Sequence, residues 1–574
     1  MTYWLHRYGN KQHAWRKIPT VDRVVYERQL GLVEASFDND GVHYGGRADL
    51  THSFEFEIRT SLAPNKLRER IVLAWSALRL SHLLMLSKAR DRTSSASGGS
   101  GDGEELQRCF VVDLPTDAAA AIEEARASLT SLLEQDAAID PVEFRTHALN
   151  SARIVDPTRS LSHLFILPSR RVDADRYRLS FMIVLAHMIA DGLSLHNWLG
   201  HFNELLNTRP AELYELLVQS LREETIRSRL PPAQEDLYPP IPGSKARQRW
   251  FWAIIRILRH VRKPLPEGFV NPLRRANRVT LALEPKFSDV LDYSAEKLPP
   301  LNSGCCTPAM SLSASRRLAG LCRSAGTSIG AGVFALVALV MMDIEVQRNP
   351  DTPLEKRKPF IASFPLNPRP FFGYAGKHDS CMLAFSDGIV IPFLPPDLPL
   401  EGRLKLLAKA AHRQLRAYQK RKEGLGNSHS PMRMLATNYI TAVERAEDKL
   451  PVQYKRGVNP QGNYPANSAW SAATCGVSSV GLVKECTPGR YNLDLPLGSP
   501  TSGERDLIVD FRELRGGVRA RDNEFLCGNS SDQEGRLSYA VSYDASAMDE
   551  QLVELWKRKM ESVLEPDSSE SSKL

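Results

Sequence analysis

The chain has 574 residues, which corresponds to about three to four domain-sized units or two large ones. Hydrophobic residues make up 42% and charged residues 25%, which excludes a wholly disordered chain, a collagen and a protein of many membrane spans. The formal net charge of +7 is small for this length. It suits an anionic ligand at one local patch but does not indicate a dedicated nucleic-acid-binding protein.

In chain order, the first part of the sequence alternates strand-like and helical patterns. Alternating apolar and acidic residues predict a strand at 54–58, and apolar residues at helical spacing from Leu67 onward predict a helix. Residues 91–104 are rich in Ser and Gly, which indicates a mobile surface loop. A single apolar stripe predicts a helix at 117–135, and an apolar run predicts a strand at 177–186.

The second half repeats this alternation, so the predicted fold class is α/β. Several prolines and a glycine at 231–243 indicate a boundary there. We expect a first half at 1–230, a crossover segment at 231–275, a second half at 276–564 and a tail at 565–574. The second half is predicted to hold helices at 313–324, 329–342, 403–421 and 548–563 and strands at 359–365, 507–511 and 537–543.

Three features bear on the compartment of the protein. The longest apolar stretch, 329–342, is short and rich in Gly and Ala, which favours a buried helix over a membrane span. The first residues are polar with no apolar run after them, so we expect no secretory signal. The cysteines form no C-x-x-C pair and have no histidines at zinc spacing, so we expect reduced thiols and no metal. They are Cys109, Cys305, Cys306, Cys322, Cys381, Cys475, Cys486 and Cys527.

The C-terminal residues carry a targeting signal. A polar segment rich in Ser and Glu ends in Ser572, Lys573 and Leu574, and Ser-Lys-Leu at a free carboxylate is the receptor-read address of the peroxisome. The composition predicts a disordered, exposed tail, which that address requires. We therefore expect a peroxisomal protein whose partner is the import receptor.

An H-x-x-x-D-G sequence lies between the strand at 177–186 and a helix predicted at 194–206. The neutral imidazole of His187 could take a proton from an alcohol or amine that attacks a thioester carbonyl. Asp191 could hold the loop through an arginine, and Gly192 would permit a sharp turn and an open approach to the ring. The alternative is that His187 is a core histidine and Asp191 only caps the helix.

His187, Asp191 and Gly192 resemble the signature of the CoA-dependent acyltransferase superfamily, which includes chloramphenicol acetyltransferase, plant BAHD acyltransferases, peptide-synthetase condensation domains and fungal alcohol acyltransferases. The resemblance implies two similar chloramphenicol-acetyltransferase-like α/β sandwiches with an active-site tunnel between them. His187 would lie at its midpoint, with acyl-CoA and the acceptor entering from opposite sides. Further similar segments are residues 311–315 with 326–329, the N-P-R sequence at 367–369 and the S-S-V-G sequence at 478–481.

The sequence lacks motifs that are typical of several branches of this superfamily, and these differences narrow the resemblance. Ala186 replaces the first His of the condensation-domain doublet, and no carrier-protein segment is present. The plant D-F-G-W-G motif is absent, and so are the Glu before the catalytic His and the Ser-Thr-Ser element of carnitine acyltransferases. A basic, aromatic-rich helix with a peroxisomal tail most resembles the peroxisomal mannosylerythritol-lipid acyltransferases of smut fungi. This implies a fungal biosurfactant enzyme that acylates hydroxyls of a mannose ring.

The resemblance also implies residue roles. His187 would be the general base of a direct transfer without a covalent acyl-enzyme, and Asp191 would orient the motif. Arg369 is the candidate partner of Asp191 by charge complementarity, against the alternative of a surface arginine. Ser478 and Ser479 could donate to the oxyanion of the thioester, against the alternative of ordinary strand hydroxyls.

Two basic segments each allow two interpretations. Residues 245–263 could lie on an anionic membrane, or they could be the crossover segment that packs its aromatics between the halves, which we favour. The second segment could attract the CoA phosphates, but a solvated face is the better interpretation. Its basic residues are Lys405, Lys409, Arg413, Arg416, Lys420, Arg421 and Lys422.

The sequence therefore predicts a monomeric acyl-CoA-dependent O-acyltransferase that acts on a mannosylerythritol-type glycolipid precursor. Acyl-CoA is the co-substrate, and neither a bound prosthetic group nor nucleic acid is expected. Two alternatives remain: an acyltransferase for a terpenoid or polyketide alcohol of fungal secondary metabolism, and a non-catalytic peroxisomal binding protein. The intact His187 motif argues against the latter.

Overall fold

The fold is described from a computed structural model of the chain. It describes residues 13–43, 45–94, 105–135, 138–237, 243–261, 265–294, 302–372, 374, 376–386, 388–419, 473–498 and 505–565. The predicted targeting residues Ser572, Lys573 and Leu574 lie outside this part of the chain, so the peroxisomal address stays a prediction.

The first half alternates strands with helices, as the sequence predicts. Its strands are β1 (Arg16–Ile18), β2 (Val25–Gln29), β3 (Leu50–Thr60), β4 (Lys88–Ser94), β5 (Glu105–Asp113), β6 (Leu129–Ser131), β7 (Ser162–Ile166), β8 (Arg170–Arg171) and β9 (Arg176–Leu185). Its helices are α1 (Leu32–His43), α2 (Pro64–Ser81), α3 (Ala118–Ala127), α4 (Pro141–Leu149), α5 (Gly192–Leu206), α6 (Pro210–Ser220) and α7 (Glu223–Arg229).

Helix α8 (Lys245–Val261) connects the halves, and a similar alternation follows it. The strands are β10 (Ser303–Cys306), β11 (Phe360–Ser363), β12 (Pro365–Leu366), β13 (Ala384–Phe385), β14 (Ile389–Ile391), β15 (Cys475–Leu482), β16 (Leu507–Arg515), β17 (Phe525–Ser531) and β18 (Leu537–Asp544). The helices are α9 (Leu312–Ser324), α10 (Ile329–Arg348), α11 (Arg369–Phe372), α12 (Leu400–Gln419) and α13 (Glu550–Ser562).

Two predicted elements differ from the structure. The helix predicted at 117–135 begins as expected, since Asp117 accepts a hydrogen bond from the amide of Ala120, but it ends at Ala127. The next residues form β6, which pairs in parallel with β7, because tertiary pairing overrides local periodicity. Part of the low-complexity segment 91–104 is also a strand, since β4 pairs with β5. Residues 95–104 of that segment lie outside the described part.

A mixed sheet forms the centre of the first half, in the strand order β16-β3-β9-β7-β6. Strand β16 comes from the second half of the sequence and pairs antiparallel with β3 along the whole strand, from Leu507 opposite Thr60 to Arg515 opposite Ser53. Strand β16 therefore completes a sheet that the predicted division at 276–564 would assign to the first half alone. The reason is that sheet pairing depends on hydrogen bonds between strands that are distant in sequence.

The second half is built on a sheet with the order β10-β18-β17-β15-β11-β14, and α10 lies against it. Each half has its own core. Phe54 stacks on Phe181 at a ring-centroid distance of 5.1 Å in the first core, and Phe334 meets Phe364 edge-on at 5.3 Å in the second. Two such cores account for a chain of this length.

Helix α10 illustrates how burial distinguishes two interpretations of one apolar segment. By length and hydropathy Ile329–Arg348 could cross a membrane, but 72% of its apolar window is buried inside the fold. Ser328 caps the helix by accepting from the amide of Ala331. The predicted buried helix is present, six residues longer than the predicted end at 342. None of the eight cysteines, all of which lie in the described part of the chain, forms a disulfide bond.

The two basic segments behave differently. In α12, Leu404 and Leu407 are buried, and Lys409, Arg413 and Arg416 lie on the exposed side, as expected for a solvated face. Lys420, Arg421 and Lys422 lie outside the described residues. In α8, Phe251 is buried, but Trp250 is 65% exposed, which contradicts the expected packing of that aromatic between the halves.

The role of α10 as a core helix can be tested by truncating one buried and one exposed residue. Phe334 is buried, whereas Ile329 at the start of the same helix is 49% exposed. We expect Phe334→Ala to lower the free energy of unfolding by about 3–5 kcal/mol, and Ile329→Ala by less than about 0.5 kcal/mol. Urea unfolding followed by circular dichroism measures both, and equal losses would contradict the assignment.

Candidate active site

His187 follows the last residue of β9 by two positions and precedes α5. Residues 181–186 and 188–191 are all buried, whereas His187 keeps part of its surface accessible although it lies deep in the fold. Its ring stacks on Phe37 of α1, with centroids 3.8 Å apart and planes within 2°. Cys381 lies on the Nδ1 side of the ring, with its Sγ 3.9 Å from Nδ1. The stacking on Phe37 therefore holds the imidazole in a fixed plane.

The environment keeps this imidazole neutral. Burial lowers the pKa of His187 to about 4, against the opposing effects of hydrogen bonds to the backbone of His187 itself and of Ala190 and of the charge of Asp191. A buried site disfavours the cation because the protein replaces water poorly as a solvent for charge. At neutral pH the ring can therefore accept a proton, as a general base must.

The structure brings Asp191 and Arg369 together across the two halves. Arg369 Nη2 donates to Asp191 Oδ2 at 2.7 Å, and both residues are almost fully buried, at 2% and 1% exposure. Asp191 is also the N-cap of α5, because its carboxylate accepts from the amide of Ser194 at 2.9 Å. Both interpretations of Asp191 from the sequence therefore hold together, because this residue caps the helix and also binds the arginine.

Arg369 joins several polar groups at this point. Its Nη2 also donates to the carbonyl oxygen of Ser380 at 2.6 Å, and its own amide donates to the side chain of Asn367. The amide of Met382 donates to Asp191 Oδ2 at 3.0 Å. The ion pair therefore fixes the segment around Ser380 and Met382, which carries Cys381, against the H-x-x-x-D-G motif.

A pair of histidines holds the same segment from its other end. His82 Nδ1 lies 2.9 Å from Asp379 Oδ1, and His82 Nε2 lies 2.9 Å from Nδ1 of His201 on α5. Asn197 Nδ2 donates to Asp379 Oδ1 at 3.0 Å. Burial lowers the pKa of both imidazoles, that of His201 to about 3, so both are neutral and can share one hydrogen bond. No local sequence pattern indicates this contact, because its members are far apart in the chain.

Asp49 is a second site residue that sequence reasoning missed. Its carboxylate accepts two hydrogen bonds from Arg153, at 2.7 and 3.0 Å, and one from the backbone amide of His187. Burial raises the pKa of Asp49, although Arg153 acts in the opposite direction. The preceding loop contains two residues with positive φ values, Gly46 at 80° and Ala48 at 64°. The glycine at position 46 was the signal in the sequence for a specialised turn.

Gly192 acts differently from the sequence expectation. It is not among the described residues with positive φ, so it makes no glycine-only turn. A Cβ at Gly192 would instead lie 3.3 Å from Val480 Cγ2. Its hydrogen permits the close approach of β15 from the second half.

The same strand carries Ser478 and Ser479. They pair with Gly528 and Asn529 of β17, and Ser478 is half-buried while Ser479 is exposed. Neither hydroxyl has a side-chain hydrogen bond to another described residue. An oxyanion role for either serine stays a prediction, and the half-buried Ser478 is the better placed of the two.

His52 is a further buried histidine near His187. Its ring lies over Gly516, where a Cβ would come within 2.2 Å of Nε2, and Nδ1 has no hydrogen-bond partner. Burial lowers the pKa of His52 well below its usual value, and the nearby His196, Arg145 and His187 lower it further. His52 is therefore neutral at neutral pH, beside the positive charge of Arg145.

Comparisons with known proteins identify the fold. No family model matches the chain, and no curated protein matches it. The chain is similar to the solved structure of TRI3 trichothecene 15-O-acetyltransferase from Fusarium sporotrichioides, with a TM-score of 0.62 and 13% identity over 96% of this chain and 97% of that one. It is also similar to AB3403, a four-domain nonribosomal peptide synthetase, with a TM-score of 0.51 and 11% identity over 95% of this chain and 33% of that one.

These similarities confirm the predicted two-domain α/β fold of chloramphenicol acetyltransferase-like and condensation-type proteins. At 11–13% identity they show the fold alone. The finer resemblance to mannosylerythritol-lipid acyltransferases stays a prediction.

The ion pair between the halves can be tested by removing one partner. Arg369→Ala leaves the Asp191 carboxylate buried without a counter-charge, so we expect a loss of about 3–5 kcal/mol in the free energy of unfolding. The exposed pair of Lys286 and Glu143, 2.6 Å apart, provides the control, since Lys286→Ala should cost at most about 1 kcal/mol. Urea unfolding compares the two, and a cost for Arg369→Ala as small as that of the control would contradict the structural role.

Proposed function

We propose that this protein is an acyl-CoA-dependent O-acyltransferase with His187 as its general base. The observation that carries the proposal is the neutral, partly accessible imidazole of His187, fixed by Phe37 on its ring face and by Asp49 through its backbone. An acceptor hydroxyl would lose its proton to His187 as its oxygen attacks the thioester carbonyl. The tetrahedral intermediate would then expel CoA as a thiolate, which takes the proton back from the imidazolium.

Direct transfer is favoured over a covalent acyl-cysteine. Cys381 is the thiol beside His187, but burial raises its pKa well above the usual value, and the charge of Asp191 raises it further. Because the thiolate is the nucleophile of cysteine, this thiol is poorly suited to attack a thioester. General-base assistance by a positioned histidine contributes about 10²–10⁴ in rate, which is the contribution assigned to His187.

For the acceptor, we propose a hydroxyl of a mannosylerythritol-type glycolipid precursor, and a fatty acyl group as the donor. This choice rests on the C-terminal Ser-Lys-Leu and on the resemblance to the peroxisomal enzymes of smut fungi. A second acceptor class is favoured by one finding: the similar structure TRI3 acetylates a trichothecene. An alcohol of fungal secondary metabolism is therefore the alternative. In both cases the transfer would take place in the peroxisome.

The activity is tested by CoA release from purified protein. We expect release from acetyl-, octanoyl- or palmitoyl-CoA that depends on added mannosylerythritol and falls by at least about 10²-fold in His187→Ala. His163→Ala is the matched control, because His163 is a half-buried histidine of the same sheet, bonded to Thr130, and burial also lowers its pKa to about 4.

Two outcomes would change the assignment. Release with a trichothecene-type alcohol but not with mannosylerythritol would replace the glycolipid acceptor by the alternative. No release with any acceptor, from a protein with a native circular dichroism spectrum, would overturn the acyltransferase proposal and favour the non-catalytic binding protein.

The pH dependence provides an independent test. The neutral form of His187 is the active one, and burial lowers its pKa to about 4, so kcat/KM should fall only as the pH drops through about 4. Between pH 5 and 8 we expect a change of less than about twofold, whereas an ordinary histidine would halve the rate near about pH 6.5. A fall in kcat/KM centred near that value, in protein that stays folded, would contradict the buried-base environment.

A further inference from the structure

Helix α8 presents apolar side chains to solvent. Trp250 is 65% exposed and Ile257 is 55% exposed, whereas Phe251 is buried. Residues 250 and 257 are seven apart, which is two helical turns, so they lie on the same side of the helix. Ile254 lies between them and is half-buried. The result is an apolar stripe two turns long that the described part of the fold leaves largely uncovered.

The same helix is strongly basic. Ser244 precedes it, and the exposed Lys245, Arg247 and Arg249 occupy its first turns. None of these three forms an ion pair with a described carboxylate. The segment 245–263 contains no Asp or Glu, and its basic residues are Lys245, Arg247, Arg249, Arg256, Arg259, Arg262 and Lys263. The described basic residues at the start of this helix therefore carry positive charge, without a described counter-ion, beside an exposed tryptophan.

Helix α12 shows that basic charge alone does not produce this arrangement. It too is basic, but it turns Leu404, Leu407 and Leu415 into the second core and pairs Arg403 with Asp343 at 2.8 Å. Its apolar face is thus already covered by the protein. In α8 only Phe251 is buried to that degree among the side chains described, so the apolar surfaces of Trp250 and Ile257 stay open to another partner.

We propose that α8 is a docking helix for an anionic membrane surface. Trp250, Ile254 and Ile257 would enter the boundary between headgroups and acyl chains, where tryptophan is favoured because its ring is apolar and its N–H is polar. The arginines and lysines would lie at the level of the lipid phosphates, each attracted to the negative surface potential. This inference does not depend on the proposed acyl transfer.

The charge of the helix favours lipid over a second copy of the chain. Two copies that met through this stripe would place two basic helices side by side, and like charges at that distance repel. An anionic surface instead neutralises the same residues. A membrane also covers a narrow stripe without a shaped groove, which matches two exposed residues separated by two turns.

The test is co-sedimentation of the full chain with phosphatidylcholine vesicles that contain or lack phosphatidylserine. We expect binding to the vesicles with phosphatidylserine and loss of that binding at high salt, because the interaction is electrostatic in part. The double variant Trp250→Glu/Ile257→Glu, and separately Arg247→Glu/Arg249→Glu, should weaken binding by at least about tenfold. A native circular dichroism spectrum checks that these variants remain folded, so that failure of this test is distinguishable from failure of the proposed function.

Leu406→Glu is the matched control, since Leu406 is 52% exposed on the other basic helix, and it should leave vesicle binding unchanged. Three results would overturn the proposal: no binding of the wild type to either vesicle, equal weakening by Leu406→Glu, or equal binding to vesicles without phosphatidylserine. A dimer in solution that Trp250→Glu/Ile257→Glu converts to a monomer would also overturn it, because the stripe would then be an interface between copies.

Discussion

The buried ion pair between Asp191 and Arg369 is the contact on which the site depends. Removing two charges from water costs several kcal/mol per ion, and hydrogen bonds to both partners offset part of that cost, although Arg369 Nε has no partner among the described residues. The carboxylate of Asp191 accepts hydrogen bonds from the amides of Ser194 and Met382, and Arg369 donates a hydrogen bond to the carbonyl oxygen of Ser380. The pair therefore couples the helix start behind His187 to a segment of the second half, and neither half can form the site alone.

The chemistry proposed for His187 depends on the same burial. The same burial that makes an isolated charge costly keeps the imidazole neutral, and its stacking on Phe37 limits its rotation. Asp49 holds the backbone at His187 from the opposite side, with Arg153 as its own counter-ion. A base that is neutral, oriented and partly accessible needs no adjustment at the moment of reaction, which is the advantage of preorganisation.

The crossing of the chain between halves reinforces the coupling. Strand β16 leaves the second half to complete the first sheet beside β3, and Val480 of β15 comes within reach of Gly192. His82 and His201 fix Asp379 on the far side of α5. Three separate contacts thus set the position of the 376–382 segment and the strands beside the motif. Sheet pairing therefore crosses between the two predicted halves of the chain.

The sequence by itself determined the α/β class and most helix and strand positions, because these depend on local periodicity. It also predicted the pairing of Asp191 with Arg369, which the structure shows, whereas the role of His187 stays a prediction. It did not indicate Asp49, Arg153, His82 or Asp379, whose partners are distant in the chain and carry no local signal. It also misjudged the helix at 117–135 and the packing of Trp250. Only the tertiary structure decided those points, because strand pairing, burial and the pKa of a buried imidazole depend on which distant groups replace water around each residue.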